Sequence, residues 1–503
     1  MRTRRISLSV PLPFLAFTFL LHLACQQPTL EVATGYSVDP DDRPNIIVIV
    51  VDDLQWDELR VAGHPYLETP NIDELARQGA RFTNAFHSVP LCSPNRATIL
   101  TGQFPSRHGI IDNVARNRMS HRLQTFPRAL QQEGYETAFF GKWHMGNDPT
   151  PRPGFDEWAA IPGQGRTIDP ELYENGQIHT VEGYITDVLT DKAISFIERD
   201  RERPFFVYIG HKAIHPDAIQ LDDGSVDLSM PRAYVPAPRH RGRYEEEVFT
   251  RRDNVIASPD ELSGKPALQR ALKRKHSAKM VEMFGEEELD ASSSEETIRR
   301  RAEMMLAVDE GLGRMVAALE DRGILDNTFI LVTSDNGFFY GEHGLSVERR
   351  MPYDESIRTP LIVRFPTVAT AGSEIDDLVA SVDIAPTVLD IAGAPIGDHI
   401  QGRSWVRLLE GDNADWRDSI LIEFYTYENP FPWLLDMDYR AIRTREHKYI
   451  HWMQHPDENE LHDLINDPLE TNNMIDDPRM SGVLTALRTE LSTAVLEAMA
   501  LGR

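Results

Sequence analysis

Cysteine is scarce in this chain: 503 residues carry two, Cys25 and Cys92. One of them closes an N-terminal leader, so no structural disulfide is expected even in an oxidising compartment. Positive charge is in deficit as well. Lys and Arg number 52 against 79 Asp and Glu, a net charge of −27 at pH 7, which argues against nucleic acid as a general partner. A long hydrophobic run is also missing. The apolar stretch Leu8 to Leu23 is too short and too poorly flanked for a membrane span, and with Arg2, Arg4 and Arg5 before it residues 1–24 read as a secretory signal peptide. There is no internal repeat and no low-complexity tract.

What remains is an ordinary globular composition, 41% hydrophobic and 26% charged, long enough for one large domain and a smaller one. The leader ends in Leu23-Ala24-Cys25, close to a bacterial lipoprotein cleavage site, although His22 stands where an aliphatic residue is usual. Two readings follow. Cys25 is lipidated and residues 25–43 tether the mature chain to a membrane, or the chain is free in the periplasm or secreted.

After the tether, Asn45 to Val51 is a continuous apolar, mostly β-branched run, the pattern of a strand covered on both faces. Similar runs are Thr137 to Phe140, Pro204 to Ile209, Asn327 to Thr333 and Leu361 to Phe365. Helical patterns separate them: Asn71 to Gln78, Leu123 to Glu133, Tyr184 to Arg199 and Ile298 to Arg322. The alternation predicts an α/β fold, a doubly wound and mainly parallel sheet spanning residues 44–415. Between Asp217 and Glu296 the chain is polar, and the charge runs Glu245–Glu247, Lys273–Lys275 and Glu286–Glu288 read as solvated faces. Residues 416–503 read as a smaller α+β subdomain. Arg440 to Tyr449 and Tyr449 to Met453 suggest a hairpin, and Ser481 to Met499 a closing helix.

Asp52-Asp53 follows the first predicted strand, and Asp335-Asn336 follows the strand ending at Ser334. Ligands of open α/β sheets gather outside the carboxyl ends of strands, so the two doublets can converge. Their hard oxygens suit Ca²⁺ or Mg²⁺ rather than zinc; taken singly, each doublet is explained by a turn or a helix cap. After another strand comes Gly141-Lys142-Trp143-His144-Met145-Gly146, where alternation sets Lys142 and His144 on one face and Trp143 in packing. A further strand delivers His211-Lys212-Ala213-Ile214-His215-Pro216, and Gly341-Glu342-His343-Gly344 leads into Glu348-Arg349-Arg350. The last motif is Cys92-Ser93-Pro94-Asn95-Arg96, continued by Ala97-Thr98-Ile99-Leu100-Thr101-Gly102.

The Cys-x-Pro-x-Arg run and its continuation resemble the signature of the type I sulfatases, and the Gly-Lys-Trp-His-Met-Gly hexapeptide resembles that family's second signature. The resemblance runs from about Pro44 to Asn473 and is least secure over Asp217 to Glu296. It implies an alkaline-phosphatase-like fold and conversion of Cys92 to formylglycine (3-oxoalanine) by a formylglycine-generating or sulfatase-maturing enzyme. The hydrated aldehyde attacks sulfur and later collapses to expel sulfate. The resemblance also implies a divalent metal, Ca²⁺ or Mg²⁺, held by Asp52, Asp53, Asp335 and Asn336 beside position 92. Arg96 then positions the nucleophile, and Lys142, His215 and Arg349 receive the sulfate. Relatives commonly carry lysine at position 349, which leaves Arg349 and Arg350 as alternatives. His215 is expected as the acid toward the leaving oxygen, His144 as the base, and His211 as a helper or a structural histidine.

The stretches Gly146 to Trp158 and Pro238 to Tyr244 look like those of bacterial carbohydrate sulfatases related to N-acetylglucosamine-6-sulfatase. A sulfated glycosaminoglycan, mucin or algal polysaccharide fits an exported chain. Arg239, Arg241 and Arg243 alternate and either line a groove for that polyanion, with Arg239 binding substrate, or form an exposed basic loop. The net negative charge sits awkwardly with such a substrate unless the site is locally basic and salt screens the rest beyond about 8 Å. Two rival functions stand beside this one: a phosphodiesterase or phosphonate monoester hydrolase of the alkaline phosphatase superfamily, and a non-catalytic glycan-binding lipoprotein.

Overall fold

The apolar run after the tether forms β1 (Asn45–Val51), with all seven residues buried. It belongs to a ten-stranded sheet with β2 (Ala80–Phe82), β4 (Glu136–Lys142), β5 (Glu157–Ile161), β6 (Glu171–Glu174), β7 (Gln177–Thr180), β8 (Phe205–Gly210), β9 (Thr328–Ser334), β10 (Leu361–Arg364) and β11 (Ser373–Ile375). β3 (Ala85–Phe86) and β12 (Val379–Ala380) form a separate parallel pair. This is a computed structural model, and it describes residues 42–174, 176–225, 227, 232–290, 293–426 and 431–500. The expected signal peptide, Cys25 and most of the tether lie outside the described residues.

The strand order is β11-β2-β10-β9-β1-β8-β4-β5-β6-β7. The five central strands, β9 to β5, are all parallel, while β10 and β6 run antiparallel to the neighbours that flank this block. Successive side chains of a strand point to opposite faces, and β1 divides accordingly. Ile46, Val48 and Val50 pack with the helices Cys92–Thr101 and Ile384–Ile391. Ile47, Ile49 and Val51 pack with the helices Pro70–Gln78, Ile185–Ile197 and Glu295–Asp321. A run apolar at every position is what a strand needs when helices cover both of its faces.

The C-terminal part carries a four-stranded antiparallel sheet of β13 (Ser419–Phe424), β14 (Tyr439–Thr444), β15 (His447–Trp452) and β16 (Glu460–Asp463). The helix Ser481–Met499 covers one face through Leu487 and Leu491. On the other face, Ile422, Tyr439 and Trp452 share a core with Phe86, Leu268 and Tyr353. Two expectations change. The hairpin turns at Arg445-Glu446 rather than at Tyr449, because Thr444 Oγ1 accepts hydrogen bonds from the Glu446 and His447 amides and closes the reversal there. The run Lys273–Lys275 is not wholly solvated either. Lys275 is buried, with Asp290 Oδ1 at 2.8 Å and Glu348 Oε1 at 3.1 Å. Among the described residues, no helix is long and apolar enough to cross a membrane.

Candidate active site

Four consecutive strands of the parallel block, β9, β1, β8 and β4, end at one place, and each delivers a functional segment. β1 delivers Asp52 and Asp53, β9 delivers Asp335 and Asn336, β4 ends in Lys142, and β8 leads into His211 to His215. The helix Cys92–Thr101 starts at the same point and is buried along all ten residues. Acceptor atoms of Asp52, Asp53, Asp335 and Cys92 lie within 4.8 Å of one another. Cys92 Sγ is 4.0 Å from Asp53 Oδ1.

Close approach of the strands depends on Gly141. A Cβ there would lie 2.0 Å from the Gly210 carbonyl oxygen of β8, and the residue has φ 120°. Lys142 then reaches Asp52 Oδ2 and forms a buried ion pair with it. The alternation expected for Lys142 and His144 holds only in outcome. His144 lies beyond the strand end with φ 68°, so a left-handed turn brings it in. Trp143 packs against Phe139 and Trp158 as expected, and its Nε1 donates to Ser120 Oγ at 2.7 Å.

The oxygen set is unbalanced in a way that points to a cation. Asp52 Oδ1, Asp53 Oδ2 and Asn336 Oδ1 are all buried without a hydrogen-bond donor. An unsatisfied buried acceptor costs about 1–3 kcal/mol, and more when charged. Asn336 is oriented by its own amide, whose Nδ2 donates to Asp53 Oδ1 at 2.7 Å and to the Gly337 carbonyl at 2.9 Å, leaving Oδ1 directed elsewhere. Asp335 accepts from the Asp53 amide at 3.1 Å and from Arg96 Nε at 2.8 Å. Four hard-oxygen residues of this kind fit Ca²⁺ or Mg²⁺. Burial raises the Asp52 and Asp53 carboxyls above their usual range; Asp335 adds to the effect at Asp52, and Arg349 opposes it at Asp53. Burial also raises the Cys92 thiol, and Lys142 opposes it. An unmodified Cys92 is thus a poor nucleophile despite its place at a helix N-terminus.

Cations surround these carboxylates. Arg96 also donates to the Lys142 carbonyl at 2.7 Å, which ties the Cys92 helix to β4. Arg349 sets Nε 2.8 Å from Asp53 Oδ1, an ion pair rather than an aligned hydrogen bond, and donates through a terminal nitrogen to His215 Nε2 at 2.8 Å. Arg350 lies over the Phe431 ring, 4.9 Å from its centroid. The geometry therefore assigns Arg349, not Arg350, to the carboxylate cluster. Arg96, Lys142, Lys212, Arg301 and Arg349 pair one to one with Asp335, Asp52, Asp217, Glu58 and Asp53, so the site is charge-balanced within a strongly acidic protein.

His215 Nδ1 is 2.7 Å from the Pro216 carbonyl, an obligate acceptor, while Arg349 donates to Nε2. The ring is therefore the neutral Nδ1–H tautomer. Burial, with Lys142 and Arg349, holds its pKa well below the usual value. The Pro216-Asp217 that follows has a structural reason. Asp217 accepts from Lys212 Nζ at 2.9 Å and Thr167 Oγ1 at 2.5 Å, pinning the turn. His211 is buried with both ring nitrogens unpartnered and its pKa pushed down to about 4, chiefly by burial.

The structure does not bring Arg239 to this cluster. It pairs with Asp187 at 2.7 Å and Glu310 at 2.8 Å on the surface, and Arg243 pairs with Glu68 at 2.9 Å. Several supporting residues lacked a sequence signal. Arg301, bound to Glu58 at 2.7 Å and Tyr340 at 2.6 Å, donates to the Asp53 carbonyl at 2.7 Å. That contact braces a residue with φ 64°. Asn95 donates to the Asp335 carbonyl at 2.7 Å and accepts from Ser381 at 2.5 Å. A cavity opens over the cluster, lined by Asn113, Gln164, His215, Gln220, Arg349 and Arg350.

Comparison with known proteins agrees with this geometry. A family model described as "Sulfatase" matches residues 44–394, and one described as "N-sulphoglucosamine sulphohydrolase, C-terminal" matches residues 341–497. The chain is 34% identical to an N-acetylglucosamine-6-O-sulfatase of Bacteroides thetaiotaomicron, over 91% of this chain and 87% of that protein. It is 25% identical to an ulvan-active sulfatase of Formosa agariphila, over 96% of this chain and 86% of that protein. A solved structure described as a complex with its substrate D-glucosamine-2-N,6-O-disulfate superposes with a TM-score of 0.76 at 32% identity, covering 91% of this chain and 98% of that one. With a family model over most of its length and relatives of this similarity, the chain belongs to the sulfatase family and is a sulfuric ester hydrolase.

Proposed function

We propose that this sulfatase removes sulfate esters from an extracellular carbohydrate, using a formylglycine made from Cys92 by a maturing enzyme and one divalent cation. The observation that carries the reading is the meeting of Cys92 with three buried, unsatisfied oxygens at the ends of β1 and β9. Position 92, once converted, supplies a hydrated aldehyde as nucleophile, and Ca²⁺ or Mg²⁺ supplies charge to polarise the sulfate. Asp52, Asp53, Asp335 and Asn336 hold the cation. Arg96, anchored on Asp335 and on the Lys142 carbonyl, keeps the nucleophile's helix in register and stabilises negative charge at position 92. Lys142 and Arg349 face the sulfate oxygens and take up charge that develops in the transition state. His144 accepts the proton released when the aldehyde re-forms. His215 protonates the leaving oxygen from Nε2, which requires Arg349 to leave that nitrogen for the sulfate and Nε2 to take up a proton from solvent as the anionic substrate binds.

The substrate class rests on the relatives, which are named for 6-sulfated N-acetylglucosamine, ulvan and a glucosamine disulfate. A glycosaminoglycan, mucin or algal fragment fits an exported enzyme, with residues 44–415 as the catalytic domain, 416–503 as its C-terminal subdomain and a lipid on Cys25 as its anchor. The test is sulfate release from defined sulfated saccharides, including N-acetylglucosamine 6-sulfate and D-glucosamine-2-N,6-O-disulfate, by protein co-expressed with a formylglycine-generating enzyme. Release that a Cys92→Ala variant lacks is the expected result. Turnover of phosphonate monoesters or phosphodiesters in place of every sulfate ester would overturn it.

A further inference from the structure

The polar excursion after His215 places one side chain, Gln220, against His144. Gln220 Nε2 donates to the Gly224 carbonyl at 3.0 Å, which identifies the two ends of its amide. Oε1 is then an acceptor, and it lies 2.6 Å from His144 Nε2. A second amide agrees with this assignment, because Gln164 Nε2 donates to the same Oε1 at 2.9 Å. Its longer 3.2 Å approach to His144 Nε2 does not make that nitrogen the acceptor, because a bare Nε2 would then face Oε1 lone pair to lone pair at 2.6 Å. Reversing either amide would set like groups against each other. An oxygen this close to a ring nitrogen needs a proton between them, so Nε2 carries it. A neutral imidazole has one N–H, and burial keeps this ring neutral. Nδ1 is left bare, buried and without a hydrogen-bond partner. The backbone of His144 is meanwhile tied to the Cys92 helix, since Ser93 Oγ donates to the His144 carbonyl.

We propose that Gln220 is a positioning residue that fixes His144 as its Nε2–H tautomer and so reserves Nδ1 as the ring's proton acceptor. The inference rests on the role given to His144 above, but the tautomer itself can be read without turnover. Protein labelled with ring-¹⁵N histidine, compared with a His144→Asn sample to identify the resonance, reports which nitrogen bears the proton. Nε2 is expected to be protonated and Nδ1 bare; a protonated Nδ1 would overturn the proposal.

Two substitutions read the consequence in converted enzyme. Gln220→Met removes the acceptor and is expected to lower kcat about tenfold or more, part of the roughly 10²–10⁴-fold that acid–base catalysis supplies, with KM within about twofold. Gln220→Glu keeps an acceptor for Nε2–H but loses the amine that holds Gly224, and kcat is expected to stay within about threefold of wild type. If Gln220 served only to hold its loop, Met and Glu would fall together, and that result sinks the idea. So does full activity in both. A wild-type enzyme that releases no sulfate would instead overturn the sulfatase mechanism, while the ring spectrum still decides the tautomer.

Discussion

Arg349 makes two contacts that a single ammonium cannot make together, one at 2.8 Å to Asp53 and one at 2.8 Å to His215. The planar fork spans both, whereas lysine is a point cation on a flexible stem. Arg349→Lys is therefore expected to lower kcat/KM about tenfold, with an unchanged melting temperature, as read by steady-state kinetics and a thermal scan. At this scale the site was legible wherever chemistry was written into adjacent letters. Asp52-Asp53, Asp335-Asn336 and Lys142-Trp143-His144 each sit at a strand end, and the structure gathers them. Arg301 and Gln220 carried no such mark. Arg301 meets Asp53 across 248 positions of sequence, and Gln220 meets His144 across 76. An isolated Arg or Gln in a polar stretch looks the same whether it braces a site or faces water. Arg239 shows the converse, since an alternating basic run was satisfied by surface carboxylates.

Elements were readable where burial leaves an unbroken apolar run, as in β1, and harder where it does not. The helix Cys92–Thr101 has no apolar stripe because it is buried on every side, so periodicity has nothing to register. Only the sequence motif revealed that segment. The turn into β15 was missed because Thr444, not a glycine or proline, closes it. The junction of β4 and β8 offers a test at this level. Gly141→Ala adds a methyl 2.0 Å from a carbonyl oxygen at φ 120°, and the backbone strain alone costs about 1–3 kcal/mol. Because Lys142 follows directly, loss of activity is expected even in the fraction that remains folded. Urea unfolding alongside turnover per folded molecule checks this, and a variant of wild-type stability would show that the strands separate more easily than their packing implies.

Across the molecule, the carboxylate cluster ties folding to the cation. Asp52 and Asp53 directly follow β1, and Asp335 and Asn336 directly follow β9, so a bound ion links the ends of two adjacent parallel strands of the sheet. A ligand that binds only the folded state at about 100 times its Kd adds about 2.7 kcal/mol. Chelation is expected to lower the melting temperature, and excess Ca²⁺ or Mg²⁺ to restore it, with the more effective ion naming the preference. An Asp335→Asn variant, lacking one charge, is expected to need more of that ion for the same shift.

Buried histidines set a second dependence for the whole chain, on pH. His87 and His108 are both buried, and burial pushes both down to about 3. The geometry around His108 gives the reason in atoms. The Ile110 amide donates to its Nδ1 at 3.1 Å, and Thr98 Oγ1 sits 3.0 Å from Nε2. Adding a proton at Nδ1 would set donor against donor. In the unfolded chain the same ring titrates near 6.5. The folded-state value is depressed, so the stability each histidine contributes is complete above pH 6.5 and declines as pH falls toward 3, where the unfolded chain binds the extra proton. At pH 5 the gap of about 1.5 units corresponds to about 2 kcal/mol for each ring, at 1.36 kcal/mol per unit. His108→Gln removes one titrating group from the same pocket. The variant is expected to start less stable at pH 7 and to lose about 2 kcal/mol less than wild type between pH 7 and pH 5 in urea unfolding. Parallel losses in the two proteins would mean that His108 is already protonated in the folded state, against the hydrogen bond that its Nδ1 accepts.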